Sequence, residues 1–354
     1  MSYHVIKGVN VRLSDKLQGH KQDNNTRYFT RKATGYIRMS DVCSPIPIVD
    51  LDRIGVHRNP NEVHIAALQT VSSSLKTTFC QYGVCYFKNH GIDDAFMDNY
   101  MTVAKSFFEQ PVEMKCQYVR GPTTDFGYTP MEKEVVNFKR PADLKEAFTY
   151  QPGDDPGDMA DKKFQQSLNE MFAHCTVLGC RLLDALSLAL GKHQLFLREA
   201  HKLIGTKNNP TTLKTLMYPQ MSPEKNIKPN QVRLGEHSDF GTMTLMFQDE
   251  VGGLDVFFPG KGYIPATPIP GTILLIAANL LQRWTSDSIV SVQHRILETE
   301  DPAKQTKARQ SAVYFIVPDF DSVITPIDGS KRYEPITCRE YVMPKLEDTL
   351  SEKN

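Results

Sequence analysis

The chain has 354 residues, with 41 Lys plus Arg, 41 Asp plus Glu and a formal net charge of zero. That length supports a large buried core, as one catalytic domain or two smaller units. The balanced charge gives no sign of a strongly basic nucleic-acid surface.

Residues 1–44 are polar, lack a sustained period and read as an N-terminal arm. No secretory signal is expected at Met1-Ser2-Tyr3-His4. Ile46 to Leu51 reads as a short edge strand, because Pro47 suits an edge better than a sheet centre. Asn61 to Phe79 carries a helical apolar stripe. Gly83 to Ile92 then reads as a strand followed by a Gly turn, and a second helix covers Phe96 to Phe108 before Pro111. Tyr118 to Asp161 mixes Gly, Pro, charge and aromatics, and is expected to be ordered but loop-rich, with Tyr118 to Thr149 shaping an entrance. Leu168, Phe172, Cys175, Gly179, Leu182, Leu186 and Leu190 recur at three- or four-residue steps, predicting a scaffold helix that stops at Gly191.

Beyond residue 209 the texture becomes short strands and turns: Thr212–Tyr218, Thr242–Phe247, Leu254–Phe257, Thr272–Ala277, Val290–Ile296 and Ser311–Val317. The expected architecture is a mostly β catalytic core with N-terminal helical support, and a short helix or tail over Tyr333–Leu350 packed back on it. The implied divisions are an arm (1–44), a helical and mixed support region (45–205), the β core (206–320) and a C-terminal extension (321–354). The longest apolar stretch, Gly271 to Leu281, is too short for a membrane span, so no membrane partner is expected. The seven cysteines are odd in number and form no Cys-x-x-Cys pair. Cys80 and Cys85 read as two buried thiols in a reduced intracellular protein, with the cytoplasm as the expected location.

The chemistry-bearing residues lie in the β region. His237 and Asp239 are two apart and would share one face of a strand. His294 follows 55 positions after Asp239, inside Val290–Ile296, and is expected to project inward with Val290, Val292 and Ile296. Two imidazoles and one carboxylate are the ligands of a non-haem Fe(II) oxygenase, which leaves coordination positions open for chemistry. Zinc accepts the same donors, so a zinc hydrolase is the nearest metal alternative. Arg309 and Ser311 add a planar fork and a hydroxyl suited to holding a carboxylate beside the metal.

Ordered motifs across the chain sharpen this reading. They include Ile46–Leu51, Lys88-Asn89-His90-Gly91-Ile92, Asp143-Leu144-Lys145-Glu146, His237-Ser238-Asp239-Phe240-Gly241, Gln248-Asp249, Gly252-Gly253-Leu254, Leu280–Thr285, His294-Arg295-Ile296 and Arg309-Gln310-Ser311. From about Ile46 to Pro318 the chain resembles the Fe(II)- and 2-oxoglutarate-dependent dioxygenases of the isopenicillin N synthase-like family. The resemblance implies a double-stranded β-helix (a cupin-like jelly roll), with Fe(II) held by His237, Asp239 and His294. It implies that Arg309 and Ser311, assisted by Tyr218, bind the remote carboxylate of 2-oxoglutarate. O2 is then the second cosubstrate, and ascorbate a candidate activator. The implied reaction converts 2-oxoglutarate and O2 to succinate and CO2 while hydroxylating a small organic metabolite. Desaturation or ring formation by the same centre, and a metal-binding jelly roll that has lost turnover, are the competing readings.

Two features depart from the family pattern. Asn279 stands where the family often has Asp, and is expected to keep short local hydrogen bonds. The 15-position step from His294 to Arg309 is longer than in many plant members, and Glu298–Lys307 is expected to absorb it as an expanded turn. The sequence is similar to fungal thymine 7-hydroxylase-like members through Gln231–His237, Ala266–Ile269 and Leu281–Arg295. In those relatives an Arg before the Tyr-Pro segment holds the base and a late-strand aromatic stacks on it. The matching positions here are Lys214 and Phe315, which makes them candidate substrate contacts. Oligomeric state is left open by the sequence.

Overall fold

The computed structural model describes residues 44–121, 126–153, 159, 161–220 and 227–350, so nearly all of the expected arm lies outside the described residues. The helices are α1 (Ile65–Tyr82), α2 (Asp94–Phe108), α3 (Val112–Lys115), α4 (Lys162–Ala189), α5 (Phe196–Glu199), α6 (Asn279–Trp284), α7 (Pro302–Gln305) and α8 (Cys338–Leu350). The strands are β1 (Ile48–Asp50), β2 (Val84–Lys88), β3 (Gly127–Thr129), β4 (Glu146–Tyr150), β5 (Thr212–Tyr218), β6 (Leu234–His237) and β7 (Met243–Gln248). They continue with β8 (Leu254–Phe258), β9 (Gly262–Pro265), β10 (Thr272–Ala277), β11 (His294–Ile296), β12 (Arg309–Ile316), β13 (Val323–Ile324) and β14 (Ile336–Thr337).

Eight strands form a major sheet in the order β1-β2-β10-β7-β12-β5-β4-β3, and four form a minor sheet in the order β6-β11-β8-β9. The two sheets are the walls of a double-stranded β-helix. Strand alternation divides the core in two. On β10, Ile273, Leu275 and Ala277 join the helical layer of α1, α2 and α4, while Leu274 and Ile276 face the minor sheet. On β12, Ala312, Tyr314 and Ile316 turn toward the helices, while Val313 joins Leu216, Leu234, Met246 and Ile296 between the sheets.

Several elements differ from the sequence expectation. The segment 118–161 contributes two strands, β3 and β4, which extend the major sheet beyond β5. Their apolar residues are masked in sequence by the charges around them, and burial in the sheet overrides that texture. Strand β9, cut short by Pro265, has no counterpart among the predicted strands, and the strand expected to carry both His237 and Asp239 is β6, which stops at His237. Cys80 is exposed while Cys85 is buried, so the two thiols are not a buried pair. Helix α4 begins at Lys162 and, by length and composition, is apolar enough to cross a membrane, contrary to the expectation that no stretch reaches that length. Of its most apolar window, 67% is buried inside the protein, which accounts for that composition as a core helix. It ends as predicted, with Gly191 at φ 71° in the left-handed region.

This packing generates a contrast testable by urea denaturation. Leu182→Ala, at a fully buried α4 position, is expected to cost about 2–5 kcal/mol. Val177→Ala, at a position on the same helix that is 43% exposed, is expected to stay within about 0.5 kcal/mol.

Candidate metal centre and carboxylate site

His237 ends β6 and His294 begins β11, and these two residues are direct partners in the antiparallel ladder. The separation of His294 from the first histidine is therefore closed by strand pairing, which sets the imidazole centroids 4.2 Å apart. Asp239 is not on the strand: it lies in the turn just after β6. The turn places its Oδ1 3.7 Å from His237 Nε2 and 3.8 Å from His294 Nε2. The ligand atoms of all three residues lie within 4.8 Å of one another, a spacing that can hold one ion. The strand carrying His294 is shorter than predicted. It spans only Ile296 back to His294, and Val290 is exposed instead of sharing an inward face, while Val292 and Ile296 are buried as expected.

Local contacts orient each donor. His237 Nδ1 bonds the Gly235 carbonyl at 2.9 Å and His294 Nδ1 bonds the Val292 carbonyl at 3.2 Å. A carbonyl can only accept, so both Nδ1 atoms carry the proton and both Nε2 lone pairs face the shared centre. Burial, and then the neighbouring His294, pull the pKa of His237 down to about 4, which keeps that imidazole neutral and able to ligate at neutral pH. Thr244 Oγ1 donates to Asp239 Oδ2 at 2.6 Å, leaving Oδ1 toward the histidines.

The turn itself is latched by α6. The N–H of Asn279 donates to the Asp239 carbonyl at 2.9 Å, and that of Leu280 to the Gly241 carbonyl at 2.9 Å. These are the first amides of a helix, which have no intrahelical acceptor of their own. Asn279 thus serves the loop through its backbone, a role that Asp would fill equally well. A Cβ on Gly241 would fall 2.5 Å from the Ile316 carbonyl oxygen, so only glycine permits this close approach.

A second feature lies at the end of the β5–β12 pair, where Arg309 and Tyr218 are register partners and Ser311 follows two positions on. Arg309 and Ser311 are fully buried and Tyr218 is 1% exposed. Arg309 donates from Nε to the Gly252 carbonyl at 2.8 Å and from Nη2 to Gln248 Oε1 at 3.3 Å. Its Nη1 carries no hydrogen bond, and the Ser311 hydroxyl lies against the Tyr218 phenol. Buried donors without acceptors are costly, and an Arg beside a hydroxyl is a donor set made for a carboxylate. Burial raises the Tyr218 pKa, with Arg309 and Lys145 pulling against it, so the phenol keeps its proton. The long step from His294 to Arg309 is absorbed by α7, and Lys307 pairs with Glu250 at 2.8 Å.

A cavity of about 360 Å³ opens from the three ligands and is lined by Tyr218, Lys214, Glu134, Lys145, Phe240 and Phe315, among others. Val342 and Leu346 of α8 also line it, and the Val135 N–H donates to the Thr349 carbonyl at 3.0 Å. The charged wall is only partly legible in the sequence. Lys214 is ion-paired to Glu134, which also meets Lys145 at 3.0 Å, and Lys145 meets Asp143 at 2.9 Å. Burial pushes the Glu134 carboxyl up, but the two lysines outweigh it and hold the group below the usual carboxylate range. Lys214 is therefore a cavity residue, not an exposed strand lysine. Sequence reasoning missed Thr244, Glu134 and Lys145 as site residues. Thr244 sits on a predicted strand with nothing to mark its partner, and Lys145 stands out only as part of a motif.

Comparison with known proteins agrees with this geometry. Residues 46–173 match the model of the non-haem dioxygenase N-terminal region, described for morphine synthesis, and residues 210–318 match that of the 2OG-Fe(II) oxygenase superfamily. Together the two matches span about two thirds of the chain. The structure of Neurospora crassa thymine 7-hydroxylase in complex with alpha-KG superposes with a TM-score of 0.74 at 28% identity, covering 86% of this chain and 96% of that one. The 2-oxoglutarate-dependent dioxygenase htyE of Aspergillus rugulosus is 29% identical over 79% of this chain and 94% of its own length. The proline hydroxylase buaE of Petromyces alliaceus is 27% identical over 78% and 92%. The chain belongs to the 2OG-Fe(II) oxygenase superfamily and is a dioxygenase that depends on Fe(II) and 2-oxoglutarate.

Proposed function

We propose that this chain hydroxylates a small organic metabolite, with Fe(II) held by His237, Asp239 and His294 and 2-oxoglutarate anchored by Arg309, Ser311 and Tyr218. The observation that carries this reading is that three convergent ligand atoms share a cavity with Tyr218, whose register partner Arg309 is buried with an unpaired Nη1 donor. Zinc hydrolysis would use the same three ligands but gives no reason for the second feature.

When bound, Fe(II) with 2-oxoglutarate supplies O2 activation coupled to formation of succinate and CO2. The chain's own residues do the positioning. The two carbonyl-bonded Nδ1 atoms fix the imidazole planes, and Thr244 fixes which carboxylate oxygen of Asp239 faces the centre. Val342 and Leu346 from α8 line the cavity together with apolar residues between the sheets and give a substrate a largely water-poor surface there. Lys214 and Glu134 offer a donor and an acceptor side by side, and Phe315 offers a flat apolar face. A planar ring bearing both N–H and C=O edges fits that combination. Neurospora crassa thymine 7-hydroxylase, whose structure with thymine superposes at a TM-score of 0.74, supports a pyrimidine base as the first substrate to test.

Two outcomes follow. Thr244→Val is expected to weaken Fe(II) binding about 10- to 100-fold, measured by anaerobic equilibrium dialysis, with little change in global fold. Lys214→Met is expected to raise KM for the hydroxylated substrate about tenfold or more. It should leave substrate-independent succinate formation unchanged, and parallel loss of both activities would remove Lys214 from the substrate site.

A further inference from the structure

Arg233 stands one residue before β6 and is fully buried. Its Nη2 donates to the carbonyls of Pro219 at 3.4 Å and Lys307 at 3.2 Å. Pro219 directly follows Tyr218, and Lys307 lies two positions before Arg309, so this guanidinium reaches from the minor sheet to the end of the β5–β12 pair. Its remaining donors, Nε and Nη1, carry no hydrogen bond. A guanidinium meets a carboxylate through either of two forks, Nε with Nη2 or Nη1 with Nη2. Each fork of Arg233 therefore keeps one free member.

The charges around it point the same way. Arg309 acts on Arg233 as a neighbouring like charge. The half-buried carboxylate felt by both is Asp249, which is already engaged by the N–H groups of Gln310 at 2.5 Å and Val251 at 3.0 Å. Glu298, which is exposed, also favours the charged form of Arg233 and does so ahead of Asp249. Two buried guanidinium cations thus lie near two carboxylates, the exposed Glu298 and the half-buried Asp249, and neither carboxylate is hydrogen-bonded to either guanidinium. Arg309 Nη1 and both free donors of Arg233 lack an acceptor in the same neighbourhood. Paired buried charge is tolerated and unpaired buried charge is not.

We propose that Arg233 is a second arginine of the cosubstrate site, closing on the remote carboxylate of 2-oxoglutarate opposite Arg309 and Ser311. It thereby makes the enzyme selective for keto acids that carry a second carboxylate. This rests on the cosubstrate reading above and adds a specificity-determining residue to it. A single Arg with a hydroxyl already satisfies a carboxylate, so the added guanidinium tightens discrimination and not merely attachment.

The test compares 2-oxoglutarate with 2-oxopentanoate, which keeps the keto acid and chain length but lacks the remote carboxylate. Binding of each to Fe(II)-loaded protein is measured anaerobically by calorimetry. Arg233→Gln is expected to lose about 10- to 100-fold in affinity for 2-oxoglutarate, the loss typical of a charge-assisted hydrogen bond. Affinity for 2-oxopentanoate and Fe(II) stoichiometry should be unchanged, and Arg233→Lys should fall between, because it keeps charge but not the fork. A folded Arg233→Gln protein with wild-type preference for 2-oxoglutarate overturns the proposal and leaves the cosubstrate reading standing. If wild type itself shows no preference between the two acids, the cosubstrate reading fails and this inference fails with it. Should the variants not fold, a crystal structure of wild type with Fe(II) and 2-oxoglutarate decides. Arg233 Nε or Nη1 within about 3.2 Å of the remote carboxylate supports the proposal, and water alone on those donors overturns it.

Discussion

The pairing of His237 with His294 across β6 and β11 is the constraint on which the site depends. It brings two imidazoles together by backbone hydrogen bonding in a rigid sheet, so no long side chain has to search for its place. The carboxylate is supplied differently, by a turn that would be free to move without its latch. The first amides of α6 supply that latch by bonding the carbonyls of Asp239 and Gly241. Gly241 is the residue that lets the turn approach Ile316 closely enough for the latch to close. Sheet, turn and helix therefore hold one donor geometry between them.

The second organising fact is the density of buried charge. Arg233 and Arg309 are fully buried, and Glu134, Lys145 and Asp143 are nearly so. The lysine and carboxylate cluster is internally paired and costs little beyond its desolvation. The arginines are not fully paired, and their unpaired donors are buried in the protein. An apolar replacement of similar size would serve stability better. Retaining two guanidinium groups there makes sense for binding, where an incoming carboxylate accepts from the donors that folding leaves unpaired.

The sequence made the chemistry more legible than the architecture around it. Thr212–Tyr218 was predicted as a strand with the bounds seen for β5, because its apolar residues keep a strand pattern to the end. The stop of α4 at Gly191 was likewise readable, since the left-handed conformation singles out glycine. By contrast, β3 and β4 were hidden in a polar segment, because pairing at a sheet edge needs no continuous apolar run. The face-sharing argument for His237 and Asp239 brought the right residues together for an incomplete reason, since a turn and not a strand carries Asp239. Lys214 was singled out by resemblance, but its partner Glu134 lies 80 positions earlier and no local pattern connects them. Arg233 was visible only as a letter in a motif. Its burial and unpaired donors are properties of the assembled core.

The central claim is that His237, Asp239 and His294 hold Fe(II) with positions left open for a keto acid anchored near Arg309. The most direct measurement is anaerobic titration of 2-oxoglutarate into the Fe(II)-loaded protein, following the metal-to-ligand absorption band. The account predicts a saturable band at one iron per chain that is absent in His294→Ala and shifted to higher ligand concentration in Arg309→Ala. Stoichiometric Fe(II) binding with no band, or a band that survives loss of His294, would contradict it.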